Sequence, residues 1–274
     1  MKKFTQKISI ATFALFMTFS ASAVPITPDL TITGDITFDV DPTNGSLPAS
    51  GLATQTATME SILGGTLSTS TVNNVTVSGN NPLGGQLTEI NDGIGLEASV
   101  SSNGIGFVDA FVFDYNFALS NSSATEDYTI SFAIDYNSSV NSAVNAFIDN
   151  RLILEDPAEF FFSDLTTDTF FGNEKNGVDT GNFGGVESDS GLFTFDIVVL
   201  AGQMATFTGE VKIDGEVFDG QGLMSALNDS FIYVSAVVGS TAPPPPPPTN
   251  VPAPSTPLLL LAGLMCLIAR RIRA

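Results

Sequence analysis

Alternation of apolar and polar residues runs through the middle of the chain. In LTITGDITFDV the apolar residues fall on every second position, and the same period returns in FVFDYNFAL, YTISFAIDY and FTFDIVVL. Successive side chains of a strand point to opposite faces of a sheet, so this period indicates strands with one buried face. The predicted inward set is Leu30, Ile32, Ile36, Phe38, Val40, Phe111, Phe113, Tyr115, Phe117, Leu119, Tyr128, Ile130, Phe132, Ile134, Tyr136, Phe193, Phe195, Ile197 and Val199.

The segments between these strands have the composition of turns. Glycine, asparagine, aspartate and proline gather in SGNNPLGG, NDGIG and FGNEKNGVDTGNFGG, where they supply positive φ angles and local side-chain hydrogen bonds. Short strands joined in this way predict an all-β fold, an antiparallel β-sandwich or jelly roll, over residues 24–241. The segment from Asn141 to Asp156 fits either a short helix or a strand, because its periodicity does not separate the two.

The first 23 residues have the three parts of a secretory signal peptide. Lysines begin MKKFTQKISIATFALFMTFSASA, an apolar stretch of about 12 residues follows, and Ala21 and Ala23 form an A-x-A site. Cleavage is expected after Ala23. The alternative, an uncleaved anchor, is disfavoured because a spanning helix needs about 20 apolar residues. The mature protein is therefore expected to be exported through the secretion translocon.

The last 33 residues also divide into parts. Residues 242–250, APPPPPPTN, predict a stiff polyproline linker that ends the β domain. Residues 251–274 then contain a short motif, an apolar run from Leu258 to Ala269 that predicts a membrane helix, and a basic tail. Arginines directly after an apolar run hold that end in the cytoplasm, which leaves the preceding domain outside. The motif is Val251, Pro252, Ala253 and Pro254, and the tail contains Arg270, Arg271 and Arg273.

This order of motif, leucine-rich helix and arginine cluster resembles the PEP-CTERM sorting signal of exported bacterial proteins. The family usually has glutamate between the two prolines, where this chain has Ala253. The resemblance implies recognition and cleavage by an intramembrane exosortase near Val251–Pro254. It also implies an inner-membrane intermediate, followed by the cell surface or exopolysaccharide matrix of a Gram-negative bacterium. It implies no particular activity for the β domain.

Charge narrows the choice of partners. The nine basic residues lie mostly at the ends, so residues 24–250 contain three basic and 29 acidic residues, a formal charge of −26. Such a surface repels phosphate backbones, which excludes nucleic acid as a natural partner. It is compatible with cations and with neutral or cationic glycans.

Composition also excludes several kinds of catalysis. The chain has no histidine, and its one cysteine, Cys266, lies in the terminal apolar run, so triads, Cys–His pairs and histidine-ligated zinc sites cannot form. A pair of carboxylates remains, as in glycosidases. The candidates are Glu155, Asp156, Glu159, Asp164, Asp168, Glu174 and Asp179. In so acidic a chain this cluster is more typical of a solvated surface, and we expect no enzyme activity.

The same acidic segment offers a weak calcium site. Calcium takes six to eight oxygen ligands from flexible loops. The candidate ligands in DTFFGNEKNGVDTG are Asp168, Asn173, Glu174, Asn176 and Asp179. Ordinary turn chemistry explains these residues at least as well, so calcium is the only cofactor predicted, and only as a hypothesis.

Glycan binding is the main alternative to a purely structural role. Sandwich modules often stack sugars on exposed aromatic rings, but tryptophan is absent, and Tyr115, Tyr128 and Tyr136 fall on predicted inward faces. Tyr233 cannot be given a face from its sequence context. The sequence therefore favours an exported, non-enzymatic surface or biofilm-matrix protein, with a polysaccharide-binding module as the alternative and a carboxylate glycosidase third.

Overall fold

Two antiparallel sheets make up the described part of the protein. The computed structural model describes residues 24–40, 45–156 and 158–241, and over these residues it contains strands and turns and no helix. In spatial order the first sheet contains β13 (Val178–Asp179), β12 (Glu174–Lys175), β11 (Ala158–Asp168), β10 (Ala146–Asp156), β15 (Met204–Val217), β8 (Gly106–Asn121), β1 (Leu30–Phe38) and β6 (Leu83–Leu87), and β2 (Ser50–Gly51) also pairs with β8. The second contains β14 (Gly185–Val199), β9 (Glu126–Ala143), β16 (Leu223–Thr241), β7 (Gly93–Asn103), β3 (Thr54–Leu63), β4 (Thr66–Asn73) and β5 (Thr76–Ser78). This confirms the predicted all-β sandwich.

Phenylalanine rings fill the space between the sheets. Phe117 and Phe207, from the first sheet, stack with ring centroids 4.5 Å apart. Phe132, from the second sheet, meets Phe207 edge-on at 4.9 Å, and Phe195 beside it meets the same ring at 5.2 Å. Offset and edge-to-face ring pairs stabilise beyond the area that they bury. The core is therefore built from the residues whose alternation marked the strands.

The predicted inward set agrees with the structure, except that three aromatic residues are only partly buried and Val40 is exposed. Every member of the set on β8 is buried, as are the four members on β1. Phe193, Phe195 and Tyr136 are only partly buried, although they pack against the core. Val40 was predicted to face inward, and this is wrong: β1 ends at Phe38, and the Val40 side chain is 55% exposed. Alternation alone does not show where a strand stops pairing.

The segment from Asn141 to Asp156 forms two strands joined by a tight turn, which passes from the second sheet to the first. Strand β9 ends at Ala143 and β10 begins at Ala146, which excludes the helical alternative. The two turn residues, Val144 and Asn145, have φ values of 50° and 52°. Positive φ is common for asparagine but costly for a β-branched residue such as valine. Because valine is not a typical turn residue, the sequence does not indicate a turn at Val144.

A buried polar network joins the two sheets through β9, β10 and β16. The side-chain amide of Asn228 on β16 donates to Asn150 Oδ1 on β10 at 3.0 Å and to Ser138 Oγ on β9 at 3.2 Å. In return, Asn150 donates to the carbonyl of Leu227 at 2.7 Å. Asn150, Asn228 and Ser138 have no exposed surface. Because a buried amide without a partner is costly, these bonds fix the position of β10 across the core.

The two terminal signals lie outside the described residues. This applies to residues 1–23 with Ala21 and Ala23, to the linker 242–250, and to the sorting signal 251–274. In the part of the chain that the structure describes, there is no helix long and apolar enough to cross a membrane.

Replacing Val144 by Asn should stabilise the protein. Asparagine tolerates positive φ far better than valine, so the free energy of unfolding should rise by about 1 kcal/mol in a urea titration. Val186→Asn is the matched control, since Val186 is also exposed, at 68%, but lies within β14. The control should be neutral or destabilising. Equal gains from both changes would contradict a strained turn.

Candidate binding site

Carboxylates crowd the outer face of the first sheet. In the strand register, Asp149 on β10 stands directly opposite Asp214 on β15, and Arg151 stands opposite Asp164 on β11. Like charges in directly opposite positions destabilise a sheet. Asp149 Oδ1 is a buried oxygen without a hydrogen-bond partner. These repelling charges therefore make this part of the first sheet less stable than it would be with neutral side chains.

The electrostatics of Asp149 reflect this position. Burial, which disfavours the charged form, raises the pKa of the Asp149 carboxyl to about 6, and the negative charges of Asp214 and Asp164 add to the rise. A hydrogen bond from Thr166 and the charge of Lys212 oppose it. Burial likewise raises the pKa of Asp214 and of Asp164. Clustered groups with raised pKa values are more common at functional sites than elsewhere.

A pocket of about 490 Å³ opens beside Asp149. Its lining is Phe147, Asp149, Thr166, Asp168, Phe170, Phe171 and Phe218, and we call it the phenylalanine pocket. Phe147 is on β10, Phe218 directly follows β15, and Phe170 and Phe171 follow β11. The Phe218 ring centroid lies 6.0 Å from that of Phe147 and 5.8 Å from that of Phe170. Three strand ends thus contribute one aromatic surface.

Asp168 holds the two loop phenylalanines in place. Its Oδ1 accepts hydrogen bonds from the backbone N–H of Phe170 at 2.6 Å and of Phe171 at 3.1 Å. This is an Asx-type turn, in which the carboxylate replaces a strand partner. The turn leaves Phe170 51% exposed and Phe171 91% exposed. These rings are not evident from the sequence, because sugar-binding platforms are expected to contain tyrosine or tryptophan, and the phenylalanines come from separate segments.

Several of the predicted calcium ligands make hydrogen bonds within the turns. Asn173 is fully engaged: its Oδ1 accepts from the N–H of Asp168 and of Gly184, and its amide donates to Glu187 Oε1. Asn176 Oδ1 accepts from the N–H of Asp164 at 2.8 Å. The remaining side chains serve the turns: Asp179 Oδ1 accepts from Gly181 N–H, and Glu174 begins the short strand β12. Among the described residues no three Asp, Glu, His or Cys side chains converge to hold a metal ion. The calcium site stays a prediction.

The candidate glycosidase acids are spread along four strands. Glu155 and Asp156 end β10, Glu159, Asp164 and Asp168 lie along β11, and Glu174 and Asp179 belong to β12 and β13. Glu159 forms a 3.5 Å ion pair with Arg151. Glu155 also lines a second concavity, of about 670 Å³, together with Asp114 and Glu210. Burial, with Asp39 and Glu210 nearby, raises the pKa of Asp114 to about 6.

The four tyrosines divide between core and surface. Tyr115 and Tyr128 are buried, and Tyr136 packs on Phe161 with ring centroids 5.1 Å apart, which confirms their predicted inward faces. Tyr233 is half-buried between the buried residues Ile232 and Val234 of β16, so its ring lies on the outer face of the second sheet.

A second aromatic surface surrounds Tyr233. Its neighbour on that face is Phe231, with ring centroids 6.0 Å apart. A Cβ on Gly95 would come within 2.5 Å of the Phe231 ring, so this glycine allows the ring to lie flat on β7. The result is a half-buried aromatic pair, less exposed than the phenylalanine pocket.

Replacing Asp149 by Asn should stabilise the protein at neutral pH and have no effect in acid. Because the pKa is raised in the folded state from about 4 in the unfolded chain, the folded state binds the extra proton. The free energy of unfolding therefore falls as pH rises from about 4 to 6. In urea titrations Asp149→Asn should gain about 1 kcal/mol above pH 7 and nothing near pH 4.

The control for this change is Asp156→Asn, at an exposed acid near the end of the same strand. It should alter the free energy of unfolding by less than about 0.5 kcal/mol at either pH. A pH-independent effect of Asp149→Asn would contradict the electrostatic account of this face.

Comparisons with known proteins give no family. No protein-family model matches the chain, and no curated protein matches it. Among solved structures, the chain is similar to that in the crystal structure of the infectious bursal disease virus VP2 subviral particle, with 11% identity and a TM-score of 0.22. The alignment covers 77% of this chain and 61% of that one. A structure of the infectious bursal disease virus Gx strain aligns over 93% of this chain and 91% of the other, at 10% identity and a TM-score of 0.13. Likeness this weak carries no argument about function.

Proposed function

We propose that the protein is an exported, non-enzymatic component of the surface or exopolysaccharide matrix of a Gram-negative bacterium. Its two terminal segments support the proposal. A signal peptide over residues 1–23 directs the chain to the secretion translocon, and the segment 251–274 has the form of a PEP-CTERM sorting signal. The observation that carries the proposal is the order of VPAP, a leucine-rich run and an arginine cluster.

The proposed route has a membrane-bound intermediate. The apolar run from Leu258 to Ala269 holds the chain in the inner membrane as a short helix, and Arg270, Arg271 and Arg273 keep its end in the cytoplasm. Twelve helical residues span about 18 Å, short of a hydrocarbon core of about 30 Å, so the anchor is weak and suits temporary retention. An exosortase then cuts near Val251–Pro254 and releases the domain, which we propose is jelly-roll-like, on its polyproline linker.

The composition of the domain suits a matrix component. Its formal charge of −26 over residues 24–250 favours solubility and discourages self-association. The domain contains no cysteine, so its stability does not depend on disulfide formation during export. The absence of histidine and the dispersed candidate acids support a binding or structural role over catalysis.

Cell fractionation in the native host tests the sorting proposal. Deleting residues 251–274 should move the protein from the surface and matrix fractions to the periplasm, because export continues while membrane retention is lost. Deleting residues 1–23 should leave the protein in the cytoplasm and is the control for export. Ala253→Glu, which introduces the family's usual residue, should speed processing of the precursor. An unchanged matrix fraction without residues 251–274 would refute the proposal.

Polysaccharide binding is the second candidate, and the phenylalanine pocket favours it. Exposed flat rings beside carboxylates provide stacking surfaces and hydrogen-bond acceptors for sugar hydroxyl groups. The protein should be retained on a column of the producer's own exopolysaccharide, and Phe171→Ala should elute earlier. If wild-type and variant elute together, this pocket does not bind the polymer.

A further inference from the structure

We propose that the phenylalanine pocket binds an organic ammonium group, held by contact with the exposed rings and by the charge of Asp149 and Asp168. The inference deepens the second candidate function and rests on it for its choice of ligand, the amino sugar units of a matrix polysaccharide. It assigns the chemical class that this pocket prefers: amine-bearing sugars over neutral or acidic ones.

The exposure of the rings is the first observation. Folding does not require Phe170, Phe171 and Phe218 at the surface, where 51%, 91% and 47% of each residue is exposed. Large apolar groups left in water and rimmed by polar residues are typical of interaction sites. The Asp168 side chain orders both loop phenylalanines through their backbone N–H groups, so the rings are presented on a defined turn.

The second observation is that the pocket lining contains carboxylates and no basic residue. The carboxylates are those of Asp149 and Asp168. The three basic residues of the described chain are each paired with another acid: Arg151 with Glu159 at 3.5 Å, Lys175 with Asp189 at 3.1 Å and Lys212 with Asp214 at 3.4 Å. Asp149 Oδ1 is buried without a hydrogen-bond donor. A positively charged ligand group in the pocket would offset the charge of this carboxylate.

The aromatic ring faces and the carboxylates together favour a ligand that carries an ammonium group on a carbon skeleton. The face of an aromatic ring attracts a cation by about 0.5 to 2 kcal/mol, more when water is excluded. Apolar parts of the ligand pack on the rings, while its N–H groups point to the carboxylates. A divalent metal ion fits poorly, because the rings supply no oxygen ligands and two carboxylates are too few. The pocket of about 490 Å³ accommodates one or two sugar units.

The test is isothermal titration calorimetry on the full chain in mild detergent, near neutral pH and at low salt. The probes are a glucosamine oligomer, its N-acetylated counterpart of equal length, and choline. The glucosamine oligomer should bind, and the N-acetylated oligomer should bind at least about tenfold more weakly because acetylation removes the charge. Added salt should weaken binding of the amine, since attraction between charges at the surface is screened.

Variants locate the binding. Phe171→Ala and Asp149→Asn should each weaken binding of the glucosamine oligomer by about three- to tenfold. Neither change is expected to unfold the protein, because Phe171 is almost fully exposed and the charge of Asp149 is destabilising. Phe162→Ala is the matched control: Phe162 is an exposed phenylalanine on β11 that does not line the pocket, and its replacement should leave the affinity unchanged.

Each outcome separates the proposals. Binding of the glucosamine oligomer with weak or absent choline binding assigns the site to amino sugars, and equal binding of both assigns it to small ammonium ions. Equal binding of the acetylated and free oligomers overturns the ammonium proposal, yet supports glycan binding. Retention on the producer's polysaccharide without binding of any probe also overturns it. Loss of both retention and probe binding overturns the second candidate function as well.

Discussion

The contact of phenylalanine rings across the sandwich is the interaction on which the rest of the structure depends. The ring of Phe132 in the second sheet lies 5.7 Å from that of Phe117 and 4.9 Å from that of Phe207 in the first. Phe195, also in the second sheet, lies 5.2 Å from Phe207. The β domain has no cysteine, so apolar burial must offset the entropy of ordering these strands without help from a disulfide. The hydrogen bond between Asn228 and Asn150 adds specificity to this packing, because the two amides meet in only one relative position of β16 and β10.

The stability of this packed core offsets the cost of groups on the outer face of the first sheet that oppose folding. Asp149 lies next to the anchored Asn150, so its carboxylate remains opposite Asp214 although the two repel. The exposed rings of Phe170 and Phe171 are likewise set by the carboxylate of Asp168 at the end of a well-packed strand. Unfavourable charge and exposed apolar surface meet in one pocket. Local destabilisation of this kind, together with exposed apolar surface, is typical of a binding surface.

The sequence predicts the parts of the fold that local pattern controls. Alternation located the inward faces of β1, β8 and β9, because burial of one sheet face imposes a period of two residues. It did not resolve the turn between β9 and β10, since valine disfavours the positive φ that Val144 adopts there. It also did not reveal the phenylalanine pocket. Phe147, Phe170 and Phe218 are far apart in sequence, and only the pairing of β10 with β11 and β15 brings them together.

The central claim is that the chain is exported and then cut at its carboxyl-terminal signal. Intact-mass spectrometry of the protein from its native host tests this claim most directly. The account predicts a mature chain that begins at Val24 and ends near Val251–Pro254. A chain that runs through Ala274, with its apolar segment and arginines retained at steady state, would contradict it.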